Sequence, residues 1–107
     1  MTLLKGTLDV LVLKALVWGP RHGFEITTWL EERSGGQLSV DESALYQALH
    51  RMERKGWLRA EWGVTENNRR ARYYTLTRAG KAALEEESAR ISDYAAALTT
   101  ILSARSA

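Results

Sequence analysis

Two clusters of polar and cationic side chains carry groups that can bind a polyanion. The first follows helical spacing and consists of Ser43, Tyr46, Gln47, His50, Arg51 and Arg54. The second lies further along the chain and consists of Asn67, Asn68, Arg69, Arg70, Arg72 and Tyr73. Amide, hydroxyl and guanidinium groups form hydrogen bonds with base edges and phosphate oxygens, and the cations neutralise phosphate charge. These residue types predict a nucleic-acid interface.

Positive charge is concentrated in the same part of the chain. Residues 50–81 contain nine basic and three acidic side chains, a balance of +6, whereas the remainder contains six basic and ten acidic side chains. The whole chain is only +2. The alternative is a solvated charged face, but the overlap of the charge with a helix and a hairpin pattern favours nucleic acid.

The composition excludes several classes of function. The 107 residues are enough for one domain with its own core, and none of them is cysteine. The sequence has no cluster of histidines and carboxylates at metal-ligand spacing and no glycine-rich phosphate loop, so we expect neither an enzyme nor a metal or cofactor. The longest apolar stretch, VLVLKALVW, is interrupted by Lys14 and is too short to cross a bilayer. We therefore expect a soluble cytoplasmic protein without membrane contact.

Apolar spacing predicts a first helix over about residues 2–18, which Gly19-Pro20 ends, and a second over about residues 22–33. The first helix is apolar on two sides and so needs two burial partners. One is the core of its own domain, and the other is either a long helix or another subunit. We assign the second stripe, Val10, Leu13 and Val17, to a dimer interface.

The third helix begins at one of two caps. Ser39 with Glu42 matches a capping box, while Asp41 could cap the helix directly. Either start gives an inner stripe of Leu45, Leu49 and Met52. The opposite face presents Ser43, Gln47, His50 and Arg54, with Tyr46 and Arg51 at its flanks. Tyr46 is predicted either to contact a phosphate or to edge the core.

Two alternating segments, WLRAEW and ARYYTL, predict a hairpin. Its inner face would hold Leu58, Ala60 and Trp62 from one strand and Tyr74 and Leu76 from the other. Tyr73 would then point to the outer surface. The loop between the strands, about eight to ten residues long, is too long for a tight two-residue turn.

Thr77 caps a long final helix. Its apolar side chains alternate at steps of three and four, with Glu87 as one polar intrusion, which is the pattern of a helix pairing seam. The seam consists of Leu84, Glu87, Ile91, Tyr94, Leu98 and Ile101. Together with the second stripe of the first helix, it predicts a homodimer.

The predicted fold class is mostly α with a small β-hairpin: a winged helix-turn-helix over residues 1–76 and a dimerisation helix over 77–107. The predicted function is a sequence-specific regulator that binds double-stranded DNA, with a pseudo-palindromic operator matching the two copies. The alternative is a winged-helix module that binds an acidic protein partner.

Four segments resemble the PadR family of bacterial winged-helix transcriptional regulators. They are LKGTLDVLVLKAL, GPRHGFEI, SALYQALHRMERKGWL and RRARYYTLTRAGKAAL, and the resemblance covers about residues 3–84. It implies a homodimer with the third helix in the major groove and the wing beside it, usually repressing transcription. Gln47 stands where the family commonly has proline, and it could read adenine. Some relatives bind flat aromatic compounds between the terminal helices, which would make a small aromatic effector near Tyr94 a further partner.

Overall fold

The computed structural model describes residue 3 and residues 6–107, which form four helices and a two-stranded hairpin. Helix α1 spans Thr7–Ala15 and follows Gly6, whose φ of 88° is readily adopted by glycine. The sequence predicted a longer first helix, over about residues 2–18. Residues 2, 4 and 5 of that range lie outside the described residues. After Ala15 the chain continues in a turn before Gly19-Pro20.

Helix α1 is the centre of the core. It contacts α2, α3 and α4, and Val12, Leu13 and Ala15 are fully buried. The prediction that Val10 and Leu13 face another subunit is wrong, because both are buried within the single chain. The two apolar sides of this helix reflect a position between the other helices. Val17 is exposed, as an interface residue has to be.

Helices α2 (Gly23–Arg33) and α3 (Glu42–Arg54) each begin at a side-chain cap. The His22 ring accepts a hydrogen bond from the Glu25 amide, while the Glu25 carboxylate accepts one from the His22 amide. For α3 the structure decides between the two predicted caps, since the Asp41 carboxylate accepts from the Ala44 amide at 2.9 Å. The amphipathic spacing then buries one face of α3, which consists of Leu45, Ala48, Leu49 and Met52.

The hairpin consists of antiparallel strands β1 (Leu58–Val64) and β2 (Arg70–Leu76), paired from Leu58↔Leu76 to Val64↔Arg70. Only residues 65–69 connect them, so the predicted loop was too long. Arg21 pairs with Tyr74 on the free edge of β2, which ties the hairpin to the start of α2. Leu58 and Tyr74 are buried as predicted, but Trp62 is 62% exposed and its predicted place in the core is wrong.

Helix α4 spans Arg78–Leu102 and begins at Thr77, whose hydroxyl accepts from the Gly80 amide at 3.0 Å. Its first turns join the core through Ala83 and the half-buried Leu84. From residue 92 onward every side chain is exposed. The final turns of α4 therefore contribute no buried side chain to the core.

Candidate nucleic-acid interface

The outer face of α3 is polar, cationic and open to solvent. Ser43, Gln47, His50 and Arg54 are all exposed, because the opposite face of the same helix is fixed in the core. Tyr46 is also exposed, although its hydroxyl lies close to the backbone of Gly23: a Cβ atom there would be 3.0 Å from it. Tyr46 thus edges the junction of α2 and α3, and its side chain is partly open to solvent.

Arg51 lies apart from this outer face. Its guanidinium forms an ion pair with the Asp9 carboxylate of α1. The side chain is still partly exposed, and such surface pairs contribute no more than about 1 kcal/mol. The pair directs the Arg51 cation towards α1, at the flank of the face.

The tip of the hairpin presents Asn67, Asn68, Arg69 and Arg70, and all four are exposed. Thr65 closes this turn, because its carbonyl accepts from the Asn68 amide and its hydroxyl accepts from the Arg69 amide. Asn68 adopts a φ of 61°, a left-handed conformation that asparagine tolerates better than most residues. The tip is therefore a defined turn that carries two guanidinium groups.

Arg72 is held against the body of the protein. Its guanidinium donates to the Glu53 carboxylate of α3 at 3.0 Å and lies over the ring of Tyr74. Its Nε is buried without a hydrogen-bond partner in the described part of the chain. The predicted free surface cation is thus a half-buried link between β2 and α3.

Tyr73 and Tyr74 point to opposite sides of β2, as predicted. Tyr74 is buried, and this burial raises the pKa of its phenol, an effect that the nearby Arg72 charge partly offsets. Tyr73 is half-buried and its ring meets the His22 ring edge-on, with the centroids 5.3 Å apart. Its ring also covers Gly63, where a Cβ would lie 2.8 Å from two ring carbons.

A groove of about 870 Å³ runs between the start of α2, the outer side of α3 and the hairpin. Its walls bring together part of both predicted clusters: Tyr46 and His50 from α3, and Asn67, Arg69, Arg70, Arg72 and Tyr73 from the hairpin. The other predicted residues, Ser43, Gln47, Arg51, Arg54 and Asn68, do not line it. Nine further lining residues were not among the predicted site residues, and they include His22, Phe24, Trp62 and the acidic Glu25 and Glu66. The only signal for Phe24 was its departure from the apolar stripe of α2. The described residues contain no cluster of histidine and acidic side chains that could hold a metal ion.

A second exposed surface lies on α4. Its apolar side chains Tyr94, Leu98 and Ile101 are exposed at the spacing predicted for the seam, and Leu102 extends it. Leu84 and Ile91, nearer the start of the helix, are half-buried. The polar intrusion Glu87 forms an ion pair with Arg90 one turn later. Among the described residues, no helix has both the length and the apolarity needed to cross a bilayer.

Three helices, a hairpin beside the third and a basic groove between them define a winged helix-turn-helix protein. Residues 12–86 match the family described as the transcriptional regulator PadR-like family. The chain belongs to this family, as its sequence motifs predicted. Because the family consists of transcriptional regulators, membership also confirms that the chain is not an enzyme.

Individual relatives agree in fold over most of the chain. A transcriptional regulator from Clostridium thermocellum is 23% identical, with a TM-score of 0.81 over 90% of this chain and 93% of that one. Bacillus subtilis PadR, solved in complex with operator DNA, is 26% identical, with a TM-score of 0.67 over 76% of this chain and 46% of its own. An uncharacterised protein of Lysinibacillus sphaericus is 30% identical over 84 residues, which are 78% of this chain and 77% of the relative.

Proposed function

We propose that this regulator binds double-stranded DNA at specific sequences, with α3 in the major groove and the hairpin beside it. The observation that carries this proposal is the groove itself, in which the outer side of α3 and the cationic hairpin tip face one space. The complex of Bacillus subtilis PadR with operator DNA supports it. A duplex strand running along the groove would meet Tyr46 and His50 on one wall and phosphate-binding cations on the other, with Ser43 and Gln47 exposed on the same helix beside the groove.

The proposed contacts divide by chemistry. Ser43, Gln47 and His50 face the bases, because short polar side chains on the outer face of a helix reach base edges in the major groove. Arg54, Arg69 and Arg70 form no ion pair with the described carboxylates and supply cations for phosphates, and Asn67 and Asn68 extend the tip towards the sugar-phosphate backbone. Four further side chains contact DNA from the edges of the interface, because their contacts with the rest of the domain hold them there: Tyr46, Arg51, Arg72 and Tyr73.

We further propose that two copies pair through the exposed seam of α4, with Val17 at its border. Residues 77–107 would then serve as the dimerisation helix and residues 1–76 as the DNA-binding unit of each copy. Two α3 helices related by a twofold axis would fit a pseudo-palindromic operator with half-sites about 34–36 Å apart. Occupation of such a site blocks other proteins from the same DNA, so repression is the outcome we propose.

The test is an electrophoretic shift assay with DNA from the promoter region of the chain's own gene, beside a scrambled duplex of equal length. We expect the promoter DNA to bind at least roughly a thousandfold more tightly than the scrambled duplex, and binding to both to weaken steeply with salt. Equal affinity for both duplexes would refute specific binding. A reporter gene behind the bound sequence then distinguishes repression from activation by the direction of the change.

A small aromatic effector would bind between the paired α4 helices, where Tyr94 presents an exposed ring. Titration of planar aromatic compounds against the protein's intrinsic fluorescence tests this. A spectrum that stays unchanged with every compound would argue against such a site.

A further inference from the structure

Trp62 occupies a position that folding does not explain. It lies on the inner face of the hairpin, in register with Arg72, on the same side as the buried Leu58 and Tyr74. Beyond Ala60, however, the hairpin extends past the core, and Trp62 and Val64 are each 62% exposed. A large aromatic side chain held in solvent contributes little to stability, because most of its surface stays in contact with water. The role of Trp62 therefore has to come from a molecule that contacts its exposed side chain.

Arg70 lies directly over this ring. The guanidinium carbon is 4.7 Å from the centroid of the Trp62 ring, and within the described part of the chain no carboxylate forms an ion pair with Arg70. A guanidinium stacked on an aromatic face keeps the N–H groups at its rim free to donate. Trp62 therefore restricts the Arg70 side chain while leaving its hydrogen-bonding capacity unused.

The stacked pair faces the proposed path of the DNA. Trp62 and Arg70 both line the groove, opposite Tyr46 and His50 of α3. A sugar-phosphate backbone offers a phosphate for the guanidinium and, next to it, an apolar deoxyribose face for an aromatic ring. The arrangement of the two side chains matches this alternation.

We propose that Trp62 and Arg70 form a single DNA contact, in which Arg70 donates to one backbone phosphate while Trp62 positions the guanidinium and packs on the adjoining deoxyribose. This rests on the proposed function, because it specifies how the groove holds a strand. Trp62 is mainly a positioning residue for Arg70, its packing on the deoxyribose is the smaller part of the contact, and the pair acts on all sequences alike.

The experiment measures dissociation constants for operator DNA with W62A, R70A and the double variant W62A/R70A, each at several salt concentrations. We expect W62A to bind roughly five- to tenfold more weakly, with an unchanged dependence on salt because the number of phosphates contacted stays the same. R70A should lower the slope of log affinity against log salt by about one. The double variant should lose little more than R70A alone, since Trp62 acts largely through the arginine. W62F, which retains an aromatic face, should recover part of the loss.

Trp18 provides a matched control. It is also 62% exposed and also lies under a cation, with the Lys14 Nζ 5.1 Å from its ring centroid, but it is not part of the groove. W18A should bind operator DNA like the parent protein. DNA should also change tryptophan fluorescence in W18F, and this change should be lost in W62F.

Three outcomes would overturn the inference while leaving DNA binding intact: unchanged affinity of W62A, equal losses in W62A and W18A, or losses of W62A and R70A that simply add. Thermal unfolding of each variant excludes a loss of fold as the cause. If the parent protein binds no duplex at any salt concentration, the proposed function itself fails, and this inference fails with it.

Discussion

Single side chains on the outer face of α3 differ in what they can recognise. Gln47 is exposed near the middle of this face and carries both a donor and an acceptor, whereas Arg54 and the hairpin arginines carry only donors and a charge. An amide can pair bidentately with adenine, while a cation is attracted to any phosphate. Specificity and general affinity should therefore respond to different substitutions.

Gln47→Ala should reduce discrimination at one base pair of the operator by about 1–3 kcal/mol and leave binding to scrambled DNA unchanged. Competition assays with operators substituted at single positions measure this. Arg70→Ala is the control, because it should weaken binding to every sequence by a similar factor. If Gln47→Ala lowered the affinity for every duplex equally, the Gln47 amide would contact the DNA backbone and not a base.

Tyr74 should make stability sensitive to alkaline pH. Burial raises the pKa of its phenol above the ordinary value of 10.0. Between the unfolded and the folded pKa the native state keeps a proton that the unfolded chain has lost. The contribution of Tyr74 to the free energy of unfolding is therefore fully present below about pH 10. It decreases as the pH rises further, by at most about 1.4 kcal/mol per pH unit.

Urea unfolding at pH 8 and at pH 10.5 measures this loss, and Tyr74→Phe should reduce it. Tyr73→Phe, at the neighbouring half-buried position, should retain the loss seen in the parent protein. An equal alkaline loss in Tyr74→Phe and the parent would assign the effect to other groups.

The sequence predicted the outer face of α3 correctly because helical geometry alone determines which residues oppose Leu45 and Leu49. It did not predict the constraints on Arg51 and Arg72. Their partners, Asp9 and Glu53, lie 42 and 19 residues away along the chain, and no local pattern links residues at such separations. Ion pairs of this kind follow from packing, which the sequence pattern does not contain.

The residues that precede the hairpin approach the start of α4 very closely. A Cβ atom on Gly80 would lie 2.1 Å from the Trp57 carbonyl oxygen and 2.8 Å from a methyl carbon of Leu76. The same carbonyl accepts a hydrogen bond from the Thr77 amide, and the Thr77 hydroxyl donates to the Gly56 carbonyl at 2.6 Å. The start of α4 is thus pinned to the residues that precede β1, which orients the hairpin relative to the helix.

Gly80→Ala should destabilise the fold by about 1–3 kcal/mol, because the clash with backbone outweighs the better helix propensity of alanine. Thermal or urea unfolding measures the loss. The control is Ala82→Gly at an exposed position in the same part of α4, which should cost only the propensity difference of about 0.5–1 kcal/mol. A gain in stability for Gly80→Ala would show that the junction can open without penalty.

Periodicity in the sequence misplaced the cover of two apolar faces, those of β1 and α1. The alternation in β1 correctly placed Leu58 inside. It could not reveal that the hairpin extends beyond the core at Trp62, which is therefore exposed. The two apolar sides of α1 were correctly recognised, but the chain's own helices bury Val10 and Leu13. Periodicity indicates which face is apolar and says little about what covers it.

For the molecule as a whole, α4 makes the shape strongly elongated, with extents of 59 × 29 × 22 Å. The last turns of this helix carry exposed apolar side chains on one face. An exposed apolar stripe on an isolated helix end is typical of a surface that pairs with another helix. We therefore expect the DNA-binding units of two copies to be held at a fixed separation by this end of α4.

Replacing both Leu98 and Ile101 by glutamate tests this arrangement, because pairing would bury two unmatched charges from each copy. We expect the dissociation constant of the dimer to be at least roughly a hundredfold higher than that of the parent protein. Sedimentation measures the oligomeric state, and the shift assay should show lost affinity for a full operator with weak binding to a single half-site retained. Ala96→Glu, at an exposed position on the opposite face of the helix, should remain dimeric. A parent protein that sediments as one subunit at every concentration would contradict pairing through α4 and, with it, the spacing of about one helical turn between half-sites.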